Sequence, residues 1–273
     1  MPVPAKGRII LEHGEGFGRR LLVSVDAKSY GRGDDQRQVA IQDGLLKVLD
    51  EAAAGARLSR AGWIRQGAGD GELAVLPEGE SEPRVVDDFV RELHAALTRH
   101  NHDRTDEAWL RLRMAVHFGV AMPASNGFSG QGIVAVSRLV DSRPLRAALA
   151  ATGGPLAVVL SGRVYDETVV QRHTSLAAAD FRKVPVRNKE FVESAWIRVP
   201  GADVHAHDLG LDVQDDGGAQ NGRDTGGDTA GEGGAGSEGG AGSGRVPSPA
   251  PGVQNQFHGT VHAHGATFGN SFR

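Results

Sequence analysis

The chain has no cysteine. Disulfides, zinc–thiolate sites and thiol nucleophiles are excluded with it. It has no apolar run near the length of a transmembrane helix, and its first residues, MPVPAKGRIILEHGEG, lack an apolar core of signal-peptide length. No membrane partner is expected, and the expected location is cytoplasmic. A strong charge of one sign is missing too. The net charge of −4 gives no basic footprint, so no nucleic-acid partner is expected. Glycine is the residue in excess: 39 of them, unevenly spread, which points to segments of different character.

Residues 1–18 read as a loose leader ending in HGEGFG. Leu21–Val25 is a strand, apolar nearly throughout, as suits a central strand covered on both faces. A helix follows, with Ile41, Leu45, Val48, Leu49 and Ala52 at helical spacing, ending near Gly55. Trp63–Gln66 and Leu73–Leu76 read as a hairpin around GAGDG. Glu78–Arg84 reads as a polar loop before a helix with Val86, Phe89, Val90, Leu93 and Leu97 on one face. Leu110–Phe118 alternates most clearly as a strand. Met122–Gly132 reads as a Gly/Ser-rich loop, Ile133, Val136 and Val140 as a helix, and Pro144 as the start of another. Leu156–Leu160 is a buried strand, and Phe181–Val186 with Val192–Val199 a late strand pair around RNKE.

This order is an α+β plan: a ferredoxin-like βαββαβ core with a C-terminal extension, over residues 19–200. Residues 201–252, almost only Gly, Asp, Ala, Ser, Gln and Glu in their middle, read as a disordered linker. Residues 253–273 form a tail in which Phe257, Val261 and Phe268 sit among Gly259, Gly265 and Gly269. Two readings of that tail stand: a docking segment that adds strands to a protein partner or to itself, and a disordered end.

Two aspartates stand at the edges of apolar runs: Asp26 in VDAKSYG and Asp70 in GDGELAVL. Delivered from separate strands to one sheet rim, two carboxylates can hold the hard cations that accompany nucleoside triphosphates. Singly, each has a plainer reading, Asp26 as a strand-end cap and Asp70 as a residue favoured in tight turns. GAGDG lacks the Lys-Ser/Thr ending of a phosphate loop and opens a strand, so that reading is rejected. His205, His207, His258, His262 and His264 have spacings open to metal, but lie in glycine-rich segments where solvated histidines are the rule.

Five stretches in order, VDAKSYG, GDGELAVL, LRLRMAVHFGV, GQGIVAVSRLVD and VRNKEFVESAWI, resemble the motifs of class III nucleotidyl (adenylate/guanylate) cyclase catalytic domains, over about residues 19–200. The likeness is to a divergent member, and the tail has the general look of those on actinobacterial conflict and regulatory proteins. The resemblance implies metal-binding roles for Asp26 and Asp70, transition-state stabilisation by Arg138 and triphosphate binding by Lys189. It implies two Mg2+ or Mn2+ ions per site, a nucleoside triphosphate substrate, and a homodimer whose sites take metal ligands from one subunit and Arg and Lys from the other. The product implied is a cyclic nucleotide, with pyrophosphate released. Two departures stand out. Val134 occupies the position of a ribose-orienting asparagine, and the base-reading positions fall on Gln66 and Gly127, which match neither the adenine nor the guanine pattern. Three readings follow: an active cyclase; a degenerate nucleotide-sensing or dimerising module that recruits a partner through its tail; and a scaffold with no nucleotide site.

Overall fold

The computed structural model describes residues 18–28, 35–125, 127–188, 190–209 and 211, and the backbone of 261–263 and 266–267. Contacts divide the chain into one unit of residues 1–213 with 257–273 and a second of 214–256. The second unit, and with it most of the expected linker, lies outside the described residues, as do most of the expected leader and the tail apart from its strand segments.

The first four strands are β1 (Gly18–Ala27), β2 (Ile64–Ala68), β3 (Gly71–Val75) and β4 (Leu112–Ala124). They pair antiparallel in the order β2-β3-β1-β4. With helix α1 (Asp35–Gly55) after β1, and a helical stretch before β4, this is the ferredoxin-like βαββαβ core. That stretch begins as α2 (Glu82–Arg84), widens to a π turn over Val85–Phe89 and continues as α3 (Val90–Asn101). The helix therefore starts inside the expected polar loop. Ser81 accepts from the Arg84 N–H, and a proline stands in the first turn, where its missing donor costs nothing.

The extension builds outward from β4. Strand β5 (Gly127–Ser129) folds back on the end of β4, pairing Met122 with Ser129. A hairpin thus stands where a loop was expected. Helices α4 (Gln131–Val140) and α5 (Arg143–Thr152) carry the chain over to β6 (Leu156–Ser161), which lies parallel to β4. Gly153 ends α5 in the left-handed conformation. After α6 (Gly162–Tyr165) and a π turn over Asp166–Val170, β7 (Arg182–Asn188) and β8 (Phe191–Arg198) finish this side, β8 against β6 and β7 outside it. Pro185 is tolerated in β7 because that strand is at the rim.

Helices cover both faces of the sheet. Leu21, Val23 and Val25 of β1 join one core with Leu45, Leu49, Phe89 and Leu93 from the α1/α3 layer. Leu22 joins the other, with Val136, Leu139, Leu145 and Leu149 from α4 and α5. Double coverage explains why β1 and β6 read as continuous apolar runs. Val204 and Leu209 are buried in the second core as well, so packing continues past residue 200.

At the opposite rim, β9 (Val261–Ala263) lies antiparallel to β2, with Val261 opposite Gln66 and His262 opposite Arg65. Strand β10 (Ala266–Thr267) folds back on β9. The tail thus adds two strands to the chain's own sheet.

Near its N-terminal end helix α4 approaches β4 through glycine. A Cβ on Gly132 would stand 2.7 Å from the Val120 carbonyl oxygen, and one on Gly119 would stand 2.8 Å from Gly132 Cα. Gly132→Ala is expected to cost about 1–3 kcal/mol by overpacking, read as a lower midpoint in urea.

Candidate active site

Asp26 and Asp70 come together at one rim because of strand pairing. Asp26 is the penultimate residue of β1 and lies opposite Gly71 of β3. Asp70 closes the two-residue turn between β2 and β3, and its carbonyl accepts the Ala27 N–H at 2.9 Å. The approach is close enough to require glycine beside it: a Cβ on Gly71 would stand 2.6 Å from the Val25 oxygen.

Both carboxyls are held above the ordinary carboxylate range. For Asp26 the main cause is burial; Arg113 opposes it, and Asp70 and Asp141 add repulsion. For Asp70 burial again leads, opposed by its own backbone N–H and by Arg113. Carboxylates penalised by burial and by one another gain from a cation. Among the described residues no group of three or more His, Cys, Asp or Glu forms a metal cage. Two oxygen-bearing groups alone suit Mg2+ or Mn2+ better than a closed protein site does. Such ions keep several waters and take further ligands from substrate phosphates.

The alternation of β4 marked Arg113 only as the polar phase of a strand, and Asp141 only as a residue after a helix. Arg113 lies opposite Asp26 in the β1–β4 pairing, and its guanidinium donates to the Asp26 carboxylate. Its other terminal nitrogen is 4.0 Å from Asp141, at the C-terminal end of α4. Asp141 also pairs with Arg146 of α5. The polar phase of β4 is occupied, not solvated: Arg111 donates to the carbonyls of Gly154, at 3.0 Å, and Leu149.

Gln66 and Gly127, the two positions expected to read the base, meet. The Gln66 side chain, buried in β2, lies against Gly127 at the start of β5; a Cβ there would come within 2.9 Å of Gln66 Cδ. Gly127 has φ +99°, a conformation that side chains other than glycine's resist. Arg138 is half-buried on α4, and Val134, one turn earlier on the same helix, is 45% exposed. Lys189 lies outside the described residues. His205 receives a structural explanation: its ring is 3.0 Å from the Ala179 carbonyl, and its N–H donates to Asp203.

The β2–β3 hairpin that carries Asp70 and Gln66 is held from its other side. Arg60 forks onto Glu72 at 2.7 and 3.0 Å with both residues buried, and Asp50 of α1 stands 2.8 Å from Arg60 Nε.

His117 of β4 is pushed down to about 4, first by burial and then by Arg19. Its Nδ1 has no hydrogen-bond partner among the described residues. The unfolded chain takes up this proton near pH 6.5, the folded chain only near 4. Between those values the unfolded state binds more protons, so stability falls as pH falls. The expected loss is up to about 3 kcal/mol across that window. Urea titrations at pH 7 and pH 4.5 should show it, and His117→Gln should flatten it.

No family model matches the chain, and no curated protein matches it. Solved structures similar to it include an adenylate/guanylate cyclase/hydrolase from Silicibacter pomeroyi, at 19% identity and TM-score 0.48, covering 68% of this chain and 99% of that one. The guanylyl cyclase Cya2 is similar at 14% identity and TM-score 0.46, covering 68% and 94%. The adenylyl cyclase CyaB from P. aeruginosa is similar at 13% identity and TM-score 0.41, covering 68% and 97%. Among the described residues no helix is long and apolar enough to cross a membrane.

Proposed function

We propose that the chain is a metal-dependent nucleotidyl cyclase, converting a nucleoside triphosphate to a cyclic nucleotide and pyrophosphate for signalling. The observation that carries this reading is the pair Asp26 and Asp70, at the end of β1 and in the adjoining β2–β3 turn, both raised chiefly by burial. Mg2+ or Mn2+ held there supplies the chemistry of easier 3′-alkoxide formation and neutralised phosphate charge. Asp26 and Asp70 bind and orient that group. Gln66, against the bare backbone of Gly127, faces the base. An amide offers one acceptor and two donors, so it can pair with the edges of different bases. Val134 and Arg138, one turn apart on α4, are offered to a second copy of the chain, with Arg138 directed to the partner's triphosphate. Lys189 is assigned to the same triphosphate by the resemblance of VRNKEFVESAWI.

The test is a panel of the four common nucleoside triphosphates with Mn2+, read by mass spectrometry for cyclic products, with Asp70→Ala as control. A cyclic product that disappears in the variant supports the reading; no product from any triphosphate, in protein shown to be dimeric, overturns it. Gln66 with no side chain at position 127 predicts weak base selection, with ATP and GTP turned over within about tenfold of each other. Competition between the two in one reaction measures the ratio.

A sensing module that no longer turns over substrate is the second reading. Val134 favours it, because an exposed valine makes no hydrogen bond to a ribose. Under that reading nucleotide raises the thermal midpoint without product, and Asp70→Ala removes the rise.

A further inference from the structure

Arg60 forks onto Glu72 through both terminal nitrogens, the geometry that arginine–carboxylate pairs frequently take. Arg113 does not. It is 13% exposed and donates to Asp26 through one terminal nitrogen. Its other terminal nitrogen stands 4.0 Å from Asp141. Its Nε is buried and has no hydrogen-bond partner among the described residues; the Nε of Arg60 has none either, but Asp50 stands 2.8 Å from it. A buried guanidinium this thinly bonded is poorly satisfied where it stands.

We propose that Arg113 is an internal stand-in for the metal, and that Asp141 is the positioning residue that receives it when a divalent cation takes its place beside Asp26. This rests on the metal-binding reading of Asp26 and Asp70. A cation and a guanidinium repel and compete for one carboxylate, so metal binding must move Arg113. Leaving it unpaired in this half-buried place is costly. Asp141 lies 4.0 Å away, within reach of a side-chain rotation. Arg146 already holds Asp141 in position. Three carboxylates, Asp26, Asp70 and Asp141, stand against two guanidiniums, Arg113 and Arg146, so the cluster without metal carries one net negative charge. One divalent cation turns that into one net positive charge, the sign a polyphosphate needs. Drawing Arg113 onto Asp141 also tightens the C-terminal end of α4, one turn beyond Arg138.

The test is Mn2+ affinity of the full-length protein without nucleotide, followed by electron paramagnetic resonance, for native protein, Arg113→Gln, Asp141→Asn and the double variant. Arg113→Gln should tighten Mn2+ about tenfold, because the competitor is gone. Asp141→Asn should weaken it about fivefold or more, because the competitor has nowhere to go. In the double variant the Asp141 substitution should have no further effect. Arg113→Lys, which keeps the charge, should bind Mn2+ less tightly than Arg113→Gln, and circular dichroism checks that each variant is folded. Unchanged or weaker binding in Arg113→Gln, or additive effects in the double variant, overturns the proposal. Asp70→Ala separates the two levels. Native binding lost in Asp70→Ala but indifferent to Arg113 sinks only the stand-in role. No Mn2+ binding in any of these proteins sinks the metal reading and this proposal together.

Discussion

Asp70→Asn is expected to reduce cyclic-nucleotide formation by on the order of 1,000-fold and to raise the thermal midpoint of the same protein. Both effects have one origin. Burial makes the Asp70 charge unfavourable in the folded chain, and under the cyclase reading proposed above that charge serves the cation it would hold. A carboxyl raised above its unfolded value binds more protons when folded. Its contribution to stability is therefore present at low pH and is lost as pH rises from 3.8 through the folded value. At pH 7 the charged form weighs against the fold, so removing it stabilises. Near pH 3 both states are protonated and the advantage of asparagine disappears. Differential scanning calorimetry at the two pH values, beside an activity assay, measures the pair of effects. A variant that loses activity together with midpoint at pH 7 would show Asp70 to be a turn residue and no more.

Glu72→Ala is expected to cost about 3–5 kcal/mol, because it leaves the Arg60 guanidinium without its buried partner. For a domain of this size that is a fall in midpoint of roughly 10 °C. The remaining contact, to the largely exposed Asp50, is a weak substitute. Replacing both residues, Arg60→Met with Glu72→Leu, should recover most of the loss, since apolar groups of similar volume need no partner. Glu72 is two residues past Asp70, and Gln66 lies in the paired strand. The single variant should therefore loosen Mn2+ binding at pH 7 as well, and the double variant should restore it. Chemical denaturation and Mn2+ titration of the three proteins decide the matter.

Much of the core was legible. Asp-Gly between two apolar runs specified the β2–β3 turn, and the unbroken apolar run of β1 specified a strand covered on both faces. Together they were enough to bring Asp26 and Asp70 to one rim. Gln66 and Gly127 were legible as positions, and the structure puts them in contact. Arg113 was hidden in plain alternation. A polar residue in every second place of a strand reads as a solvated face, and only the α4/α5 layer reveals otherwise. Its signal was available in principle: of the alternate positions 111, 113, 115 and 117, three carry large polar side chains, Arg111 just before β4 and Arg113 and His117 within it. Asp141 gave no signal, because its role depends on the crossing of α4 over β4. The start of α2 was missed because Glu-Pro-Arg after serine reads as a loop unless Ser81 is taken as a cap. The pairing of the tail with β2 was beyond reach, since glycine-spaced apolar residues do not specify which edge they join.

The glycine seat under α4 makes that helix a lever. Backbone approaches backbone at Gly132 and Gly119, so the N-terminal end has no gap to close there. It acts as a fulcrum. Asp141 sits nine residues along, an arm of about 14 Å at the usual rise per residue. A tilt of about 5° at the seat sweeps Asp141 through about 1 Å, a sizeable part of its 4.0 Å distance from Arg113. In the dimer proposed above, a second copy leaning on Val134 would push between the fulcrum and the load. The force of assembly would then reach Asp141 as a displacement larger than the one applied, without any change in the sheet below.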